Sequence, residues 1–176
     1  MKKKVAIPLM FFAIVGIVII VFIIWSILEE KIRDRRYDKE FEDQLKYIEF
    51  DIPEEFEKSV LGSYSYYNSG NSCYFNVYSD EKFEDNLKDW FKSKIIVNLN
   101  DEVGELEERE INGNKVYVIQ VKDKYGFENY YGFETKDYFH YIKFRISDYT
   151  NGEELDRESN PCYGFENRII SSLRIK

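Results

Sequence analysis

With a single histidine, His140, and two cysteines in 176 residues, the chain is poor in the side chains that acid–base, nucleophilic and metal chemistry use. It contains no H-E-x-x-H, no G-x-S-x-G, no P-loop and no C-x-x-C, so most hydrolase templates are excluded as written. No catalytic residue, metal ligand or cofactor is expected on these grounds. His140 is in phase with Ile142, Phe144 and Ile146, which places it on the core face of a strand and reads as a hydrogen-bonded structural histidine. No internal repeat or proline-rich linker divides the chain either, so the part beyond the N-terminal segment is one domain.

Carboxylates are plentiful, but Glu105-Leu106-Glu107-Glu108 and Glu153-Glu154 have no spacing that singles out an acid and a base, and they read as solvated faces. The loop from Asp148 to Glu158 puts Asn151, Gly152 and Glu158 at the fifth, sixth and twelfth positions of an EF-hand-like loop. Ser147 and Tyr149 hold the first and third, where ligating carboxylates belong, so the calcium match fails and only a looser surface cation site is left open.

What the chain does have is an apolar run at its start. Val5 to Leu28 carry no charge, and at about 1.5 Å per residue they make a helix of roughly 36 Å, enough to cross a hydrocarbon core of about 30 Å. A cleavable signal peptide would have a shorter apolar stretch and small residues at its end, whereas this one closes on Trp25-Ser26-Ile27-Leu28-Glu29. Pro8 falls in the first turn, where a missing N–H costs little, and Trp25 falls where an indole suits the headgroup layer. The expected organisation is a basic tail at 1–4, a transmembrane helix at 5–28 that partners the lipid bilayer, a charged helical stalk at 29–46 and a soluble domain at 47–176.

Orientation is close to a tie on charge, with Lys2, Lys3 and Lys4 on one flank and Lys31, Arg33, Arg35, Arg36 and Lys39 on the other. A compact basic region leading directly into the apolar segment is how export signals are built, and this places the domain outside the cytoplasm. The 25 basic residues less the three N-terminal lysines stand against 33 acidic ones, a formal charge of about −11 beyond the span. That balance disfavours nucleic acid as a partner.

In the soluble part, segments rich in Tyr and Phe alternate apolar and polar as half-buried strands do. Strands are expected at Tyr47 to Ile52, Ser63 to Tyr67, Cys73 to Tyr78, Glu105 to Ile111, Lys115 to Lys122, Glu128 to Glu134 and Tyr138 to Ser147. Asn112-Gly113 between two of them is a two-residue hairpin signal, because both positions tolerate positive φ, so the sheet should be mainly antiparallel. One helix is expected from Glu81 to about Val97, with Phe83, Leu87, Trp90, Phe91 and Ile95 inward. A second should open at Asn160-Pro161 and turn Phe165, Ile169, Ile170 and Leu173 inward. Together these elements give an α+β fold with helices layered on a mainly antiparallel sheet.

Tyr74, Asn76 and Tyr78 alternate against Cys73, Phe75 and Val77 on one strand. Both faces of that strand could simply be buried, or the tyrosine face could be open and suit a sugar or peptide, since the ring packs and the hydroxyl bonds. Cys73 and Cys162 each lie in the apolar phase of their element. They are either a disulfide pair or two unrelated buried thiols.

Tyr47-Ile48-Glu49-Phe50-Asp51-Ile52-Pro53-Glu54-Glu55-Phe56, Tyr141-Ile142-Lys143-Phe144 and Ile169-Ile170-Ser171-Ser172-Leu173-Arg174-Ile175-Lys176 resemble the opening, the last strand and the closing helix of PsbP-like domains. The resemblance spans 47–176. It implies an α-β-α sandwich with an antiparallel sheet, commonly exported, often lipid- or helix-anchored in bacteria, and mostly non-enzymatic. None of the functional residues of the photosynthetic members is matched, so their role does not carry over. The expected function is that of a membrane-anchored, non-enzymatic extracytoplasmic domain binding a small ligand or partner protein. The alternatives are an accessory subunit of a larger membrane assembly and a carboxylate-dependent enzyme.

Overall fold

The computed structural model describes residues 6–59, 64–68, 70, 73–83, 86–95, 97–147, 149–150, 153–154 and 160–176; side chains at 6–14, 30, 33–38, 40–41, 149–150 and 153–154 fall outside that description. The chain divides into two compact units, Met1–Glu42 and Asp43–Lys176. Helix α1 (Ala6–Leu45) is continuous, so the apolar stretch and the charged stretch after it share one rod of about 60 Å. From Ile17 to Leu28 its large apolar side chains are exposed on every side of the helix. Among the described residues no helix is long and apolar enough to cross a membrane. The side chains at 6–14, a large part of the expected 5–28 span, lie outside them.

The second unit is α+β, and every described strand pair in it is antiparallel. Its main sheet runs in the order β2 (Glu57–Lys58), β3 (Ser65–Asn68), β4 (Cys73–Glu81), β9 (Tyr138–Ser147), β8 (Gly126–Glu134), β7 (Asn114–Asp123) and β5 (Glu102–Val103), with β6 (Glu107–Ile111) also paired to β7. Asn112 and Gly113 turn β6 into β7 with φ of 51° and 77°, the left-handed geometry expected of that dipeptide. The Asn112 side chain also donates to the carbonyls of Ser171 and Leu173, at 2.7 and 2.8 Å, so the hairpin turn caps the end of the last helix. A separate antiparallel pair is β10 (Tyr149–Thr150) with β11 (Glu153–Glu154), and β1 (Ile48–Glu49) pairs with β12 (Arg174–Ile175), which joins the two ends of the domain.

Two helices differ from expectation in length. Helix α2 is Leu87–Lys94, roughly half the expected Glu81-to-Val97 stretch. β4 stays paired with β9 as far as Glu81, opposite Tyr138, so the chain is still extended where the helix was expected to begin. Asn86 then caps α2 by accepting from the Asp89 N–H, and Ile95 returns to extended backbone. Phe83, expected inward, precedes the helix and is 80% exposed. Helix α3 (Pro161–Ser171) starts as expected, with Asn160 accepting from the Cys162 N–H and Pro161 at the first position. It stops at Ser171, and Arg174 and Ile175 form β12 instead of a last helical turn. Likewise the strand expected at Tyr47 to Ile52 shortens to Ile48–Glu49.

The two helices pack on opposite faces of the main sheet, because successive side chains on a strand point opposite ways. On one face Phe75 and Phe144 stack at 5.9 Å, Phe56 lies 5.5 Å from Phe75, and Phe165 of α3 meets Phe56 at 5.5 Å. On the other, Leu87, Trp90 and Phe91 of α2 pack on Tyr117, Ile119, Val121, Tyr130 and Phe139. Gly132 lets α2 settle onto β8: a Cβ there would lie 2.4 Å from Phe91 Cδ2. Cys73 and Cys162 tie β4 to the first turn of α3 as a disulfide with Cα atoms 6.0 Å apart.

Candidate functional site

α2 is eight residues, about 12 Å long and about 10 Å across. The sheet beneath it has seven strands side by side and is roughly 30 Å wide. One such helix covers β7, β8 and the start of β9, and among the described residues no other element covers the rest of that face. That part carries Ser65 and Tyr67 from β3 and Tyr74, Asn76 and Tyr78 from β4, in register across the strands, with the largely buried side chains of Lys143 and Arg145 from β9 beside them. β4 lies inside the sheet, between β3 and β9, yet Tyr74 and Tyr78 are 37% and 38% exposed, and Tyr67 opposite Tyr74 is 39% exposed. Of the two arrangements the sequence allowed for this strand, the face opposite Cys73, Phe75 and Val77 is the open one.

The rings are held in place from below and beside. Tyr78 stacks on Tyr141 at 4.5 Å, and Tyr141 in turn meets Trp90 of α2 at 6.0 Å and Tyr130 at 6.2 Å. Burial pushes the Tyr130 and Tyr141 hydroxyls far above the usual phenol range, so both stay protonated donors. Tyr130 donates to Glu128 at 2.6 Å. Tyr67 donates to Glu57 at 2.9 Å, and this bond raises its pKa.

Charges on this face are paired among themselves. Arg145 makes two parallel bonds to Asp123, at 2.7 and 2.8 Å, and these hold the Asp123 carboxyl below the usual carboxylate range. Lys143 lies 3.4 Å from Glu128, and Arg145 lies 3.6 Å from the same carboxylate. The hydroxyl of Ser65 donates to the Asn76 side-chain oxygen at 2.5 Å. Two cations paired with two carboxylates, a third carboxylate, Glu57, bonded to Tyr67, and an array of phenols, an amide and a hydroxyl therefore form a strip with no excess of positive charge.

A cleft of about 390 Å³ lies between β6, β8 and α3, lined by Glu105, Glu107, Arg109, Asn129, Tyr131 and Glu166 among others. Its floor is a buried polar chain in which Gln120 donates to Asn129, and Asn129 and Tyr131 both donate to Glu166 Oε1, at 2.7 and 2.8 Å. At its rim Arg109 is bound to Glu107 at 2.6 Å. Buried polar groups need partners, and this network fixes α3 on the sheet. Glu105 and Glu107, read as solvated residues, line its edge, whereas Glu166 gave no signal in the sequence.

His140 is fully buried, with Nδ1 2.6 Å from Ser79 Oγ, Nε2 3.0 Å from Thr135 Oγ1, and its ring against Phe133 at 5.5 Å. Burial first, and then the charge of Lys82, lowers its pKa to about 3, so it is neutral in the folded domain at physiological pH. Most of the EF-hand-like loop, including 151–152 and 155–159, lies outside the described residues. Among the described residues no group of three or more His, Cys, Asp or Glu side chains could hold a metal. The chain matches no protein-family model, no curated protein and no solved structure.

Proposed function

We propose that the chain is a single-pass membrane protein, anchored through 5–28 with its domain outside the cytoplasm, and that the domain binds a ligand or partner protein through the open sheet face without catalysing a reaction. One observation carries the binding part: three tyrosines, Tyr67, Tyr74 and Tyr78, are more than a third exposed side by side on the solvent face of the sheet, where an antiparallel sheet ordinarily carries small polar or charged side chains. The anchor is supported by a helix that is apolar on all sides, an arrangement that needs either a protein core or lipid around it. The basic residues ahead of it support export. The PsbP-like sandwich is part of this proposal. Helices on opposite faces of an antiparallel sheet support it, together with the residue patterns that carry the resemblance.

A reporter enzyme fused after Lys176 should be active only when it requires the extracytoplasmic side; activity confined to the cytoplasm would reverse the orientation. For binding, a photoreactive residue placed at 74 or 78 should crosslink to one saturable species in intact membranes, while the same residue at exposed Arg168 on α3 should not. Equal labelling from both faces would remove the open face as the binding surface.

A further inference from the structure

The open face has a chemistry that narrows its occupant, and the geometry points to a neutral glycan chain lying along β4. This inference rests on the binding role proposed above for that face and adds the ligand class. The domain is strongly acidic, since the chain has 33 acidic residues against 25 basic ones and three of the basic ones precede the span. The face nevertheless carries Lys143 and Arg145 matched by Glu128 and Asp123 at 2.7 to 3.6 Å. A polyanion would meet no excess of positive charge there, and a cationic partner only the Glu57 carboxylate, which is already bonded to the Tyr67 hydroxyl. A stable protein interface needs an apolar, charge-depleted centre, whereas the charged row of this face runs beside Tyr74.

A neutral sugar chain asks for something different: flat apolar rings for its C–H faces, with donors and acceptors beside them for its hydroxyls. Tyr74 and Tyr78 are four residues apart on one strand, so their rings project from the same face roughly 13 Å apart. Asn76 stands between them, and Lys143 is paired across from it on β9. Tyr67 stands directly opposite Tyr74, which widens the platform at one end. The Tyr78 ring is already fixed against Tyr141, so binding would freeze little additional motion. The platform is elongated, which suits several linked sugar units and not a single one.

The test uses the full chain in phospholipid nanodiscs, which carry no sugar headgroups, titrated by calorimetry with maltohexaose, cellohexaose and the neutral N-acetylglucosamine hexamer. Saturable binding of at least one is expected. Tyr74→Ala and Tyr78→Ala should each weaken it about tenfold while the domain stays folded, the Tyr78 variant with a modestly lower thermal midpoint because its stack on Tyr141 is lost, and Tyr74→Phe should retain most of it. Because the ligand is uncharged, the affinity should change by less than about twofold between low and high salt. Failure of all three sugars to bind overturns the inference, as does binding that survives both alanine variants. If the sugars fail while the photoreactive residue at 74 or 78 still captures a saturable species, only the ligand class falls. If both fail, the binding role of the face falls with it.

Discussion

Reducing the Cys73–Cys162 bond, or replacing Cys162 by alanine, should lower the unfolding free energy by about 4 kcal/mol. The cross-link closes a loop with a sequence separation of 89 residues, and chain entropy assigns a loop of that length roughly 4 to 5 kcal/mol, from which any native strain subtracts. The bond also joins β4, the strand that presents Tyr74 and Tyr78, to the first turn of α3 on the other face. Its loss should therefore loosen the platform as well as the core. Mass spectrometry of the native protein under non-reducing conditions should recover one linked peptide pair, and denaturant unfolding with and without reductant should give the free-energy difference. A pair found reduced in the native protein would count against export, because an oxidising compartment keeps thiols at this separation bonded. An unchanged unfolding midpoint on reduction would show that the cross-link contributes nothing to stability.

Acid should destabilise the domain through His140 before its carboxylates protonate. The imidazole titrates near 6.5 in the unfolded chain and at about 3 when folded, because burial, helped by Lys82, disfavours the charged form. With the folded pKa lower, the unfolded chain binds the extra proton. The stabilisation is therefore complete above pH 6.5 and is lost as pH falls towards 3, by about 4 to 5 kcal/mol in all. Asp123, whose pKa Arg145 depresses, adds its own loss only below the ordinary carboxylate range. The interval from pH 6.5 to 4.5 thus isolates His140, and a loss of about 2 to 3 kcal/mol is expected there. His140→Gln keeps hydrogen-bonding capacity towards Ser79 and Thr135 without titrating and should flatten that slope. Denaturant unfolding at a series of pH values measures it, and an equal slope in both proteins would show that the imidazole titrates normally in the fold.

Local signals were enough for much of the architecture. Alternation located six of the eight strands of the main sheet and missed the two-residue strands β2 and β5, and the Asn112-Gly113 signal pointed to the antiparallel pairing. Asn112-Gly113 marked a hairpin whose two positive φ values the structure shows, and Asn160-Pro161 marked the start of α3. Each of these rests on the backbone preferences of one or two residues or on a period of two, so it can be read over a short window. His140 was placed on the core face by the same alternation, and it is fully buried there against Phe133.

Where elements end was decided in three dimensions. From Glu81 to Phe83 the apolar spacing fits a helix, but pairing of β4 with β9 keeps the chain extended to Glu81, and α2 becomes a short helix. The last residues read as helix, yet Arg174 and Ile175 pair with Glu49 and Ile48, which lie more than a hundred residues earlier. The network of Gln120, Asn129, Tyr131 and Glu166 likewise joins the β7–β8 hairpin to α3, 35 to 37 residues later, and none of its members stands out in its own neighbourhood.

By itself, the sequence determined a long apolar segment ahead of one α+β domain with an antiparallel sheet, and the side of each strand on which each residue lies, because strand alternation is a local property of the backbone. It could not decide which side is covered, since β4 carries large aromatic groups on both. Tertiary structure decided that: Phe75 is enclosed by Phe50, Phe56, Tyr66 and Phe144, while α2, the one helix among the described residues that packs on the other face, is short and leaves Tyr74 and Tyr78 more than a third exposed. Coverage depends on the length and position of elements distant in the chain, and no local pattern records it.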